Sequence, residues 1–444
     1  MNPGDRVRLT RDGRTHEGVL LPSTTDDHAV LKLDGGYNVG VERANATVEV
    51  VEADVYDVGS EEDDDSSTGE FSEEAEKATT TWGFKEGRQR ISLISTGGTI
   101  ASTVDYRTGA VTSRFEADDI IRAIPQLRGR ANWRSRVVDT ILSENMTPDV
   151  WQDLAHAVHE EIEAGADGVV VMHGTDTMQF STSALAFMID TPVPVVFTGS
   201  QRSADRPSSD NVMNAVCAVE AAKSDCAEVL VCMHASESDD RCALHRGTRV
   251  RKNHTSRRDA FETVGADPLG TVAYGGDGGS ADAIDVRFRR EHTARGAVDL
   301  DVAPDLETDV ELVKFTPGTS KAVLDAAAGS AGLVIEGTGL GHVHTDWIPR
   351  IAELVESGTE VVLTSQCLGG RVCDRVYDTG RDLLDAGVIE GEDLLPGTAK
   401  VKLMWALANA ENSEDVAAAM GTPLASELTE RSVPAENRPA PEAR

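Results

Sequence analysis

The sequence predicts an α/β protein, with two parallel-sheet domains in tandem, the second smaller, preceded by a small all-β barrel. Three observations carry this. From Arg88 onward, apolar runs of strand length alternate with segments of helical periodicity. Glycine turns close several of those runs, as at Thr96-Gly-Gly-Thr99, where open α/β sheets place reactive groups. Before them, short alternating runs sit between turn signals.

Residues 1–52 form the expected barrel, of the small SH3-like kind. Asp5-Arg-Val-Arg-Leu-Thr10 alternates polar and apolar, and Glu17-Gly-Val-Leu-Leu21, His28-Ala-Val-Leu-Lys-Leu33 and Tyr37-Asn-Val-Gly-Val41 follow. Asp34-Gly-Gly and Arg11-Asp-Gly mark turns between them. A barrel of this size serves as a docking module or as a structural cap. Residues 53–88 read as an acidic linker, because Ser60-Glu-Glu-Asp-Asp-Asp65 and its neighbours cannot bury enough apolar surface to fold alone.

The large α/β domain is expected over 89–300. Its apolar strand runs are 91–95, 137–142, 168–172, 193–198 and 228–233. Between them, Thr147-Pro148 opens a helix with Thr147 as its cap, and Val150, Leu154, Val158 and Ile162 mark its apolar face. Further helices are expected from Met178 to Ile189 and from Asn211 to Lys223. Such alternation implies a parallel sheet covered on both faces. Residues 270–310 are rich in Gly, Asp and Ala and read as loop with short strands. A smaller α/β domain follows over 301–427, with strand runs opening at Glu311, Gly332 and Glu360 and a helix from about Gly397 to Ala410. Residues 428–444 read as a flexible tail.

Composition narrows the function classes. The 42 basic against 76 acidic residues give a formal charge of −34, and the acids recur in every segment. That pattern reads as a surface adapted to high salt, where screening shortens the reach of self-repulsion. It offers no basic face for nucleic acid. The six cysteines, Cys217, Cys226, Cys232, Cys242, Cys367 and Cys373, show no Cys-x-x-Cys pair, so reduced and mostly buried thiols are expected. Met1-Asn-Pro-Gly-Asp-Arg6 has no signal-peptide pattern and no apolar run reaches membrane-span length, so a cytoplasmic location is expected. No metal is expected in this chain.

The chemistry sits in three stretches. Ile91-Ser-Leu-Ile-Ser-Thr-Gly-Gly-Thr-Ile100 runs a strand into a glycine bend flanked by two hydroxyls. Val169-Val-Val-Met-His-Gly-Thr175-Asp176-Thr177 brings a second hydroxyl and a carboxylate to the same sheet edge. Arg249-Val-Arg-Lys252 adds an amine. A threonine hydroxyl needs a base before it can attack, and the resulting oxyanion needs preset N–H donors. Thr175, Lys252 and Asp176 would form a hydroxyl–amine–carboxylate relay if they converge. Each residue alone has a plainer reading: threonines after strands cap helices, and most lysines are surface cations. The glycine bend fits neither a phosphate-binding Gly-x-x-x-x-Gly-Lys frame nor a dinucleotide fingerprint.

Thr96-Gly-Gly-Thr-Ile100, His173-Gly-Thr-Asp-Thr-Met178 and Lys252 within Val250-Arg-Lys-Asn-His-Thr-Ser256 resemble the bacterial-type L-asparaginases. Ser143-Glu144-Asn-Met146, Thr198-Gly-Ser-Gln-Arg202 and Val334-Ile-Glu-Gly-Thr-Gly339 do so too. The resemblance spans about residues 90 to 410 and implies a large and then a small α/β domain that hydrolyse an amide. By position it makes Thr99 the acyl-accepting nucleophile and Thr175, Asp176 and Lys252 the second catalytic set. Ser143 and Glu144 would hold the substrate's α-carboxylate and α-ammonium. Tyr106 is the candidate for the mobile-loop tyrosine of that family, although spacing from Thr99 varies there.

The added barrel, Thr364-Ser-Gln-Cys-Leu-Gly-Gly-Arg-Val372 and Leu394-Leu-Pro-Gly-Thr-Ala-Lys-Val-Lys-Leu-Met-Trp405 resemble the D subunits of archaeal glutamyl-tRNA(Gln) amidotransferases. That resemblance implies a glutaminase that releases ammonia from glutamine. A partner, the E subunit of such enzymes, would use ATP and Mg to activate Glu-tRNA(Gln) and accept the ammonia, in an assembly of two copies of each chain. Two other readings compete: a free-standing asparaginase or glutaminase, and an inactive scaffold.

Overall fold

The structure, a computed structural model, describes residues 4–21, 27–33, 38–53, 79–82, 85–97, 102–104, 111–113, 124–127, 129–203, 208–275 and 284–433.

The N-terminal unit is a five-stranded, wholly antiparallel sheet built from Arg6–Arg11, Arg14–Leu21, His28–Lys32, Asn38–Glu42 and Thr47–Glu52. Alternation decides its faces. Val7 and Leu9 turn inward against Leu20, Ala29 and Leu31, while Arg8 turns outward between Glu17 at 2.8 Å and Glu49 at 3.1 Å. The fourth strand and the fifth are the outer ones, and no ladder joins them among the described residues. Most of the acidic stretch lies outside the described residues. Thr79–Trp82, within the segment read as linker, is instead a strand, as its β-branched and aromatic content favours.

The large domain is a nine-stranded sheet. Its centre is parallel: Asn132–Ile141, Arg90–Gly97, Gly168–Met172, Val195–Thr198 and Val229–His234 lie side by side in that order. Thr79–Trp82 joins one edge antiparallel. Arg241–Arg246, Gly270–Ala273 and Asp285–Phe288 extend the other edge, also antiparallel. The expected parallel sheet therefore has antiparallel wings. The turn Ser236-Glu-Ser-Asp-Asp240 sends the chain straight back, where a parallel step would need a crossover. The strand expected at 137–142 begins at Asn132, because Trp133 and Ser135 are buried between two neighbouring strands.

Helices Pro148–Glu163 and Met178–Met188 pack on one face, and helix Asn211–Ala222 on the other. In the first, Trp151, Leu154, Val158 and Ile162 form the buried stripe, whereas Val150 is half-buried. Pro148 occupies the first turn as expected, but the Thr147 side chain makes no capping bond.

The small domain is a four-stranded parallel sheet of Val310–Lys314, Gly332–Gly337, Glu360–Ser365 and Ile389–Glu390. Its own core holds Leu333, Ile335, Trp347, Ile351 and Leu363. Helix Pro396–Asn409 joins the domains: its Ala399, Val401, Leu403 and Met404 share a core with the large-domain helices. Gly397 permits the contact, since a Cβ there would lie 2.6 Å from the ring of Phe180. Cys217, Cys226, Cys232 and Cys242 are buried and free, while Cys367 is exposed. Among the described residues no helix is long and apolar enough to cross a membrane.

Candidate active site

The parallel strands deliver their carboxyl ends to one edge. Arg90–Gly97 arrives with Gly97 at φ +97°, a conformation costly to other residues. A Cβ on Gly97 would also stand 2.5 Å from the Ile141 carbonyl oxygen, so glycine is required twice over. Thr96 Oγ1 donates to the Met172 carbonyl at 3.3 Å and ties this strand end to its neighbour. Thr99, the expected nucleophile, and Tyr106 both lie outside the described residues.

Gly168–Met172 is buried throughout and ends in the turn His173–Thr177. Thr175 is buried, and its Oγ1 accepts from Lys252 Nζ at 2.9 Å. Lys252 Nζ also donates to Asp176 Oδ1 at 2.7 Å. The lysine side chain is 10% exposed and the aspartate 67%, so the amine bridges a buried hydroxyl and a solvated carboxylate. Lys252 ends the short strand Val250–Lys252, and its main-chain N–H donates to Gln179 Oε1 at 3.0 Å. Thus the second expected set converges. A nitrogen at this distance can pass a proton to or from the hydroxyl within hydrogen-bond reach.

Ser143 is buried against the same turn. Thr177 N donates to Ser143 Oγ at 3.0 Å, and Thr177 Oγ1 donates to the Ser143 carbonyl at 2.8 Å. Gly174 makes this fit possible, because a Cβ there would lie 2.7 Å from that of Ser143. Glu144 follows in the 3-10 turn Ser143–Asn145 with its side chain in solvent.

Two polar groups at this edge escaped the sequence reading. His173 is wholly buried, and its Nδ1–H donates to the Gly174 carbonyl at 2.6 Å. Burial lowers its pKa to about 4, so the ring is neutral. Asp210, also buried, accepts the N–H groups of Gln201 at 2.9 Å and Arg202 at 3.0 Å. Burial pushes its carboxyl up, and those N–H donors oppose the shift. Asn214 Nδ2 adds a bond to the Gly199 carbonyl at 2.9 Å. These side chains hold the turn after Val195–Thr198 under Thr175. Asp210 sits just before an apolar helix, where its type reads as a cap; nothing local announces that it binds a turn nine residues back. Among the described residues, no group of three His, Cys, Asp or Glu side chains is placed to hold a metal.

Comparison with known proteins bears on the whole chain. Residues 90–282 match the asparaginase N-terminal family model, and residues 309–420 match the glutaminase/asparaginase C-terminal domain. Residues 1–51 match the GatD N-terminal domain. The D subunit of the glutamyl-tRNA(Gln) amidotransferase from Halobacterium salinarum is 67% identical, over 98% of this chain and 99% of its own length. Its counterpart from Methanosarcina mazei is 51% identical, over 96% of this chain and 98% of its own. Among solved structures, the thermostable L-asparaginase from Thermococcus kodakarensis aligns with a TM-score of 0.68 at 30% identity. That alignment covers 77% of this chain and 99% of that one.

Proposed function

The chain belongs to the family of glutamyl-tRNA(Gln) amidotransferase D subunits, and on that footing we propose that it is the glutaminase of such an enzyme. It hydrolyses glutamine and supplies the ammonia that converts Glu-tRNA(Gln) to Gln-tRNA(Gln). The observation that carries the hydrolase is Lys252 Nζ, held between Thr175 Oγ1 and Asp176 Oδ1.

In this reading the Thr99 oxygen attacks the side-chain carbonyl carbon of glutamine. The C–N bond breaks, the leaving nitrogen takes a proton, and ammonia departs from a Thr99 ester. Water then cleaves that ester to glutamate and frees the hydroxyl. Lys252, Thr175 and Asp176 handle the protons, with the carboxylate orienting the amine. Ser143, fixed by Thr177, and Glu144 receive the α-carboxylate and α-ammonium. Tyr106 would close over the substrate.

The partner is the E subunit of the amidotransferase, with two copies of each chain in the assembly. It binds Glu-tRNA(Gln), and ATP and Mg serve its half-reaction rather than this one. Ammonia must reach it before bulk water adds a proton, so the two sites communicate internally. The complex works in the cytoplasm. The match of residues 1–51 to the GatD N-terminal domain favours this reading over a free-standing asparaginase, whose likeness covers the α/β domains.

The test is ammonia release from glutamine by the purified chain at high salt, with and without partner and Glu-tRNA(Gln). Rapid turnover of asparagine that ignores the partner would favour the free-standing enzyme.

A further inference from the structure

Lys252 sits on a three-residue strand whose ladder is the equally short Phe261–Thr263, outside the nine-stranded sheet. A hairpin of that size does not fix itself. Three residues before Lys252, the Arg249 guanidinium is 2% exposed and donates from Nη2 to Asp393 Oδ2 at 2.8 Å. Its Nη1 donates to the Asp393 carbonyl at 3.0 Å. Asp393 follows the last strand of the small domain. Its carboxylate also accepts Thr429 N at 3.0 Å and Thr429 Oγ1 at 2.5 Å. Burial would raise that carboxyl, but Arg249 and Thr429 together hold it below the usual range.

Neighbouring bonds run the same way. Thr248 Oγ1 donates to the Ala425 carbonyl at 2.9 Å, and Thr398 Oγ1, on helix Pro396–Asn409, donates to the Thr248 carbonyl at 3.1 Å. The C-terminal segment is itself fastened by a buried ion pair between Glu427 and Lys402. Beside Arg249 lies a cavity of about 430 Å³, lined by Thr263, Pro423, Leu424, Leu428 and Thr429 among others. Val250 and Phe261 pack into the core shared with the small domain, and beside the cavity the polar contacts add direction to that packing.

We propose that Arg249 is a positioning residue: through Asp393 and Thr429, the small domain and the C-terminal segment set the reach of Lys252 to Thr175 and Asp176. This rests on the assignment of proton handling to Lys252. A buried ion pair is by itself a weak stabiliser, often matched by apolar side chains. What apolar side chains cannot match is the planar fork, which fixes orientation as well as distance. A misplacement of about 1 Å at a reacting group can cost on the order of 10²-fold in rate.

The test compares the full chain, in its assembled enzyme, with two variants. Arg249→Met with Asp393→Leu removes the pair while filling its space. Thr429→Val removes the hydroxyl bond to Asp393 Oδ2, and keeps the main-chain one, with little change in volume. Thermal melts establish that each is folded at the assay temperature. Both are expected to lower kcat for glutamine hydrolysis by about tenfold or more, with KM within about twofold of the parent. A parental kcat in either folded variant overturns the proposal. Lys252→Met is the control: if it too keeps parental kcat, the assignment of Lys252 fails, and positioning fails with it for a distinguishable reason.

Discussion

Lys252 Nζ stands 2.9 Å from Thr175 Oγ1, although 77 residues of chain separate the two. In the proposed proton relay both this hydroxyl and this amine act, so removing either should cost catalysis more than folding. Thr175→Val is expected to lower kcat for glutamine by on the order of 10²-fold or more, with a melting temperature near that of the parent. Steady-state ammonia release measures it, and unchanged turnover would leave the hydroxyl without a role.

Gly174 and Ser143 give a second prediction. A methyl group on Gly174 would press on Ser143 at 2.7 Å and move the hydroxyl proposed to receive the substrate's α-carboxylate. Gly174→Ala should therefore raise KM for glutamine about tenfold, with a smaller effect on kcat. The reverse split, a fall in kcat at constant KM, would put Ser143 outside substrate binding.

Two buried histidines set a pH dependence. His173 and His245 are each held neutral by burial, with pKa lowered from 6.5 to about 4. Between those values the unfolded chain binds more protons than the folded one. The stabilisation is complete above pH 6.5 and is lost as pH falls toward 4, by up to about 3 kcal/mol for each ring. Denaturant titrations at high salt should show the midpoint falling over that window, and His245→Gln should flatten the slope. An unchanged slope in that variant would contradict the assignment.

The charge of −34 gives a fourth. Self-repulsion opposes the compact state, and about 1 M salt cuts its range to roughly 3 Å. Melting temperature should climb continuously as KCl rises from about 0.1 M to 2 M. A salt-independent melt would assign the acidic surface another purpose.

Much of this site could be read from the chain because its parts are local. The run Val169-Val-Val-Met172, β-branched and flanked by Gly168 and Gly174, reads as a buried strand, and the turn after it carries Thr175 and Asp176 to the sheet edge. The residues alone offer Lys252 as an amine, but only family resemblance places it beside Thr175, since no periodicity says that a short strand from elsewhere will meet that threonine. The antiparallel wing was illegible for another reason: its strands are short and lie among Gly- and Asp-rich segments that read as loop. Arg249 and Asp393 were hardest of all. Charged residues 144 apart read as separate surface ions, and only folding reveals them as one buried pair.

The fate of glutamine's amide nitrogen separates transfer to the tRNA from plain hydrolysis. The direct measurement supplies glutamine labelled at that nitrogen to the chain, its partner, ATP, Mg and Glu-tRNA(Gln) at high salt. Label is expected in Gln-tRNA(Gln), and is expected to be lost in Thr175→Val and Lys252→Met while free ammonia still supports the reaction in both. Label that never reaches the tRNA, with fast hydrolysis that ignores the partner, would contradict the proposed transfer.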